Sequence, residues 1–125
     1  MLRAAAISLV GTVPVAAQAE VWVALAISEH TGATGYGASE ESLSAAQDAA
    51  LEACEDRSFS CRLAIARVDA CLTYALDGRT GDWGTGGHAD AEIAEAAALD
   101  LCASHGATAC EVIATRCAPE IVQGN

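Results

Sequence analysis

Two stretches decide the reading of this chain. The first is Ala49-Ala50-Leu51-Glu52-Ala53-Cys54, followed after a short polar loop by Cys61-Arg62-Leu63-Ala64-Ile65-Ala66-Arg67. The second is Ala97-Ala98-Leu99-Asp100-Leu101-Cys102, followed by Cys110-Glu111-Val112-Ile113-Ala114-Thr115-Arg116. Both read A-A-L-acid-x-C, a loop, then C-x-L/V-x-x-x-R. A unit written twice fixes an architecture, because each copy must fold alike and bury its apolar face against a neighbour. In each copy the first segment reads as the end of a helix and the second as a strand.

Upstream of the first unit, Val21, Val23, Leu25 and Ile27 alternate with Trp22, Ala24 and Ala26, the period-two pattern of a strand. Glu29 to Gly32 is a turn, and Ala33 to Gly37 returns as a glycine-rich strand. Ser39 and Ser42 both offer N-caps to the helix that ends near Cys54. Leu43, Ala46, Ala50 and Cys54 line one side of that helix, and Glu41, Asp48, Glu52 and Glu55 form an acidic stripe on the other. The same order recurs downstream. Cys71 to Leu76 reads as a strand, Asp77 to Gly81 as a turn and Asp82 to Thr85 as the returning strand. Gly86-Gly87 is expected to loosen the chain before Asp90 caps a second helix reaching about Ser104. In that helix Ile93, Ala94, Ala97, Ala98 and Leu101 cluster, while Leu99 stands apart. The expected fold is α+β: a tandem strand-strand-helix-strand repeat forming a mainly antiparallel sheet of about six strands with two helices packed on it, its halves related by a pseudo-twofold axis. The tail after Pro119 is expected to be loose.

The chain has 125 residues, enough for one domain. Residues 1–19 read as a signal peptide. Arg3 precedes a mostly apolar run, and Ala17-Gln18-Ala19 suits signal peptidase, leaving residues 20–125 as the mature domain. The run is shorter than the roughly 20 residues a bilayer requires. All 17 acids and five arginines lie in the mature part, and lysine is absent. So acidic a surface repels nucleic acid and anionic lipid and would attract a basic protein.

Six cysteines in an exported chain read as a disulfide framework, which compensates for a core of small side chains. The repeat narrows the 15 ways of pairing six cysteines. Equivalent cysteines should bond equivalently, giving Cys54–Cys61 and Cys102–Cys110, each closing a helix-to-strand loop. Cys71 and Cys117 remain, and they are expected to bridge the halves. No C-x-x-C spacing calls for a metal, and no cysteine is left over as a nucleophile.

Other chemistry is sparsely signalled. His30, His88 and His105 read as solvated loop residues. Gly84-Thr85-Gly86-Gly87-His88 before a helix suggests a phosphate cradle, but Asp90 and Glu92 would repel an anion. No G-x-S-x-G elbow is present. Arg67 and Arg116 hold equivalent places and are expected to pair with local acids or cap a helix carbonyl, a carboxylate ligand being the alternative. Trp22 and Trp83, in equivalent hairpins, read as packing residues before ligand platforms.

Trp22-Val23-Ala24-Leu25-Ala26, the two A-A-L-acid-x-C segments with their partner cysteines, Cys71, and Trp83-Gly84-x-Gly86 together resemble the bacterial domain-of-unknown-function family 4189. Members of that family are short, exported and cysteine-rich. Val23 departs from it, standing where a glycine is common. The resemblance spans about Val21 to Cys117 and implies export and this order of elements. It carries no catalytic residues onto this chain and no cofactor. The expectation is a periplasmic or secreted protein-binding module of inhibitor or immunity type, with enzymatic activity left open but disfavoured and with Glu41, Asp48, Glu52 and Glu55 as its interaction surface. A structural envelope protein is the alternative, and a small envelope hydrolase using carboxylates or His88 comes third.

Overall fold

The computed structural model describes residues 20–124. The leader and its cleavage site lie outside them. Nine elements follow in order: β1 (Trp22–Ser28), β2 (Thr34–Ser39), α1 (Leu43–Glu55), β3 (Cys61–Val68), β4 (Cys71–Leu76), β5 (Trp83–His88), α2 (Ala91–Ala103), β6 (Glu111–Cys117) and α3 (Ala118–Val122). The α+β repeat expected from the sequence is there: β1-β2-α1-β3, then β4-β5-α2-β6.

The six strands form two sheets of three, ordered β2-β1-β3 and β5-β4-β6, and all pairings are antiparallel. The reason for two sheets lies in β1. Val23, Leu25 and Ile27 pack with Leu72 and Tyr74 of β4, so the two sheets meet face to face. Ala24 and Ala26, on the opposite face of β1, pack on Ala46, Ala50 and Cys54 of α1. Ala75 of β4 packs likewise on Ala98 and Cys102 of α2. A strand covered on both faces cannot belong to a single sheet with one dry side. The result is four layers, helix-sheet-sheet-helix. The halves also share an irregularity: pairing slips between Leu25 and Ala26 on β1, and between Tyr74 and Ala75 on β4.

Each helix lies directly on a glycine-bearing strand. A methyl group built on Gly35 would fall 2.5 Å from the carbonyl oxygen of Ala50; one on Gly84 would fall 2.5 Å from that of Ala98. Gly37 and Gly86 are equally close to the backbone of Ala46 and Ala94. Paired strand glycines against Ala46-Ala50-Cys54 and Ala94-Ala98-Cys102 therefore set the helix-to-sheet distance. This corrects two expectations. Gly86 and Gly87 do not loosen the chain; they are β5 residues. The buried side of α2 is Ala94, Ala98 and Cys102, whereas Ile93 and Leu101 are exposed, as is Leu43 on α1. Leu99, which stood apart in the pattern, packs against the α2 cluster. Small residues win the buried positions because the backbones approach too closely for larger ones.

Local signals fix the helix ends. Ser42 caps α1 through its side chain, which accepts from Ala45 N at 3.0 Å; the Ser39 hydroxyl accepts from Glu41 N just before. Asp90 caps α2. The tail is ordered where looseness was expected. Pro119 sits in the first turn of α3, and Glu120 reaches back to Cys117 N at 2.8 Å. Ile121 of α3 is buried in the inter-sheet core.

The disulfides are Cys54–Cys61, Cys102–Cys110 and Cys71–Cys117. The third does not bridge the halves. Cys71 and Cys117 are register partners on β4 and β6, so the bond closes the second half on itself. Their counterparts in the first half are the register partners Trp22 and Val68. No described helix is long and apolar enough to cross a membrane.

Candidate functional site

Two surfaces stand out, one on a helix and one between the halves. The first is the outer face of α1. Asp48, Glu52 and Glu55 follow one another at spacings of four and three, which places them on one stripe, and all three are exposed; Glu41, also exposed, precedes the helix. None of these carboxylates has a side-chain partner among the described contacts, and α1 carries no basic residue. The second helix differs at the matching positions: Ala96, Asp100 and Ala103 stand where α1 has Asp48, Glu52 and Glu55. The stripe is therefore not something the helix-on-sheet unit requires.

The second surface is a cleft of about 350 Å³ lined by Glu29, Arg62, Asp82, Trp83, Leu101 and His105. Glu29 comes from the β1–β2 turn and Arg62 from β3. Asp82 immediately precedes β5 and Trp83 opens it, while Leu101 lies in the last turn of α2 and His105 just beyond it. Glu29 Oε2 accepts from Arg62 at 3.0 Å and from Trp83 Nε1 at 3.2 Å. The Arg62 guanidinium lies 5.7 Å from the centre of the Trp83 ring. One carboxylate thus ties a cation of the first half to an indole of the second. Asp82 accepts from the Thr80 hydroxyl at 3.0 Å.

The remaining sequence candidates fall elsewhere. Gly84 to His88 form no phosphate cradle, because they are strand residues of β5, with Gly84 and Gly86 against α2 and Gly87 against Arg67 of the other half. His88 Nδ1 accepts from Asp90 N at 2.9 Å, which supports the cap of α2. His30 and His105 are exposed, as expected; the ring of His30 stacks on Phe59, and His105 borders the cleft. Trp22 packs on the helix side of its sheet, while Trp83 lies near Tyr74 and in the cleft. Among the described contacts, Arg67 and Arg116 neither pair with acids nor cap a helix. They reach across to the opposite half. The Arg67 stem lies against Gly87 of β5, and its guanidinium donates to the Ala66 carbonyl; the Arg116 guanidinium lies 5.7 Å from the Tyr36 ring centre. Burial pushes the Tyr36 hydroxyl up to about 12, against the pull of Arg116 in the other direction.

One buried acid was missed in the sequence reading. Asp77 is fully buried and accepts from Arg79 N at 2.8 Å, Thr80 N at 3.3 Å and, through its other oxygen, Ala109 N at 3.0 Å. The Arg79 N–H is the main cause holding its carboxyl below the usual range, against the opposing effect of burial. An acid at the start of a turn, followed by Gly78, was the available signal. The first two bonds close the β4–β5 turn on itself, and the third ties that turn to the loop before Cys110. Among the described residues, no three His, Cys, Asp or Glu side chains gather to hold a metal ion.

Compared with known proteins, residues 22–117 match the family model described as "Domain of unknown function (DUF4189)". No curated protein and no solved structure matches the chain.

Proposed function

The chain belongs to the DUF4189 family, and on that premise we propose that it is an exported, disulfide-stapled module that binds a basic protein surface through the outer face of α1. Three disulfides are the mark of a chain that folds in an oxidising compartment. The proposed location is the periplasm or the medium. One observation carries the binding reading: Asp48, Glu52 and Glu55 stand exposed on α1, whereas α2, built on the same plan, has Ala96, Asp100 and Ala103 there. A feature that only one of two like helices carries is not demanded by the fold. Opposite charge speeds encounter and selects partners, while apolar contacts supply most of the affinity. An inhibitor or immunity-type role suits so small and rigid a frame.

The test begins with capture of partners from envelope extract on the disulfide-intact protein. Association with a captured basic partner is then timed across a salt series. Exposed charges are screened beyond about 8 Å at physiological ionic strength, so the rate should fall as salt rises. Asp48→Lys with Glu52→Lys should slow association further and leave the thermal midpoint in place. An association rate indifferent to both salt and the substitutions ends this reading.

A further inference from the structure

The cleft between the halves has no part in the α1 surface. It offers one cation, two carboxylates, one imidazole and two apolar side chains. The cation is already engaged, since Arg62 is held by Glu29 at 3.0 Å and lies over Trp83. An anionic ligand would meet Glu29 and Asp82 with no uncommitted cation to offset them. A cationic ligand would meet the Arg62 guanidinium in the cleft wall. A neutral ligand rich in hydroxyls avoids both penalties. Its hydroxyls can donate to Asp82 and to Glu29 Oε1, and accept from the remaining guanidinium N–H groups or from His105. The apolar faces of a sugar ring suit Trp83 and Leu101, as aromatic and aliphatic walls do in ligand sites generally. The volume, about 350 Å³, is near the lower end for ligand pockets.

We propose that this cleft is a binding site for a neutral saccharide of one or two rings, held between Trp83 and Leu101 with its hydroxyls on Asp82, Glu29 and His105. The two halves must both be present to form it, because Glu29 and Arg62 come from one and the other four residues from the second.

Tryptophan fluorescence reads the site directly. Trp22 and Trp83 are the two tryptophans, so Trp22→Phe leaves Trp83 as the single reporter. The disulfide-intact Trp22→Phe protein is titrated with maltose, cellobiose and N,N′-diacetylchitobiose, and separately with sodium acetate and arginine amide. The expected result is a saturable change of emission with at least one disaccharide, in the millimolar range, and none with the two ions. Asp82→Asn and His105→Ala, made separately in that background, should each weaken binding about tenfold, the scale of one lost polar contact. His105 is exposed and, among the described contacts, makes only a backbone bond, so its replacement keeps the test valid even if Asp82→Asn disturbs the turn. Three results overturn the proposal: no saturable change with any of the three sugars, saturation by acetate or arginine amide instead, or sugar binding that both variants leave unchanged.

Discussion

The two halves solve one folding problem with different chemistry at matching places. Both press a helix of small residues onto a glycine-bearing strand, through Gly35 and Gly37 in one half and Gly84 and Gly86 in the other. Both staple the helix to the next strand, with Cys54–Cys61 and Cys102–Cys110. Elsewhere they part. Where the first half pairs Trp22 with Val68 across β1 and β3, the second has the Cys71–Cys117 bond across β4 and β6. Where the first anchors its loop by a hydroxyl, Ser28 to Phe59 O at 2.9 Å, the second uses the Asp77 carboxylate on Ala109 N. Beneath α2, Thr73 and Thr115 bond at 3.0 Å and Thr115 donates to Glu95 at 2.8 Å; the matching residues of the first half are Ala24, Ala66 and Gln47. What is common to both halves is what the fold needs. What differs is free to serve stability in one half or recognition in the other.

The largest effect should come from exchanging the cross-strand pairs. Replacing Cys71 and Cys117 with Ala opens a link spanning 46 residues, which the chain-entropy model values at about 4 kcal/mol. The same model gives about 2.5 kcal/mol for each of the short links, which span 7 and 8 residues. Denaturant midpoints of the three double variants should fall in that order. The sharper version builds the missing bond. Trp22 and Val68 occupy the register that Cys71 and Cys117 occupy, so Trp22→Cys with Val68→Cys should form a fourth disulfide, seen as the loss of two hydrogens by mass spectrometry. Free thiols at both positions would mean that the halves are less alike than their register indicates.

Next come the glycines, where the halves should respond alike. Gly35→Ala and Gly84→Ala each drive a methyl group into the backbone of the overlying helix, and each should cost about 3 kcal/mol, the upper end for overpacking. Gly78→Ala is the control, with no atom within 4 Å of the added carbon, and should change stability by no more than about 0.5 kcal/mol. Thermal melts of the three variants decide whether the close approach is shared. A tolerated Gly35→Ala beside a crippled Gly84→Ala would break the equivalence of the two helix seats.

A smaller effect separates the anchors by pH. Asp77 is held below the ordinary carboxylate range in the folded state, first by the Arg79 N–H. A carboxylate with a lowered folded pKa stabilises the fold fully above its unfolded value, near 3.9, and that stabilisation is lost as pH falls through the folded value. Stability should therefore decline below about pH 4 in the native chain. Asp77→Ser, which gives the second half the anchor of the first, should lower stability at pH 7 and flatten the acid side of the profile. An acid limb of unchanged steepness would assign it to other carboxylates.

The repeat itself was legible because cysteine, alanine and arginine recur in order, and the helix limits follow from Ser42 and Asp90 within a residue or two. The division into two sheets was not, because alanine at Ala24 and Ala26 reads as the weaker face of an alternating strand. Only the glycines opposite make it a buried helix seat. Gly86 reads as punctuation for the same reason, while Gly87 is a strand residue facing Arg67 of the other half. Pro119 marks a helix start, although the polar residues after it suit a loose tail equally well. The cleft had no local signature at all. Glu29, Arg62 and Trp83 are far apart in sequence and meet only because two sheets pack face to face; the sequence offers Trp22 and Trp83 alike as ligand platforms, and nothing in it singles out Trp83.

The smallest effect expected on stability concerns the outer helix faces, and it bears most on function. Asp48→Ala with Glu55→Ala gives α1 the residues that α2 has at Ala96 and Ala103. Both acids are exposed and neither has a side-chain partner among the described contacts, so nothing in the fold is lost with them. Alanine is also the better helix former, by a few tenths of a kcal/mol at an ordinary exposed site. Removing two like charges from an acidic chain relieves repulsion by a similarly small amount. Stability should therefore hold within about 0.5 kcal/mol or rise slightly. Urea denaturation at low and physiological salt measures this, the low-salt condition giving any charge effect its greatest size. Association with a basic partner should slow in the same variant, since the charges that steer it are gone. A loss of more than about 1 kcal/mol would make the stripe part of the frame and remove the reason for assigning it to recognition.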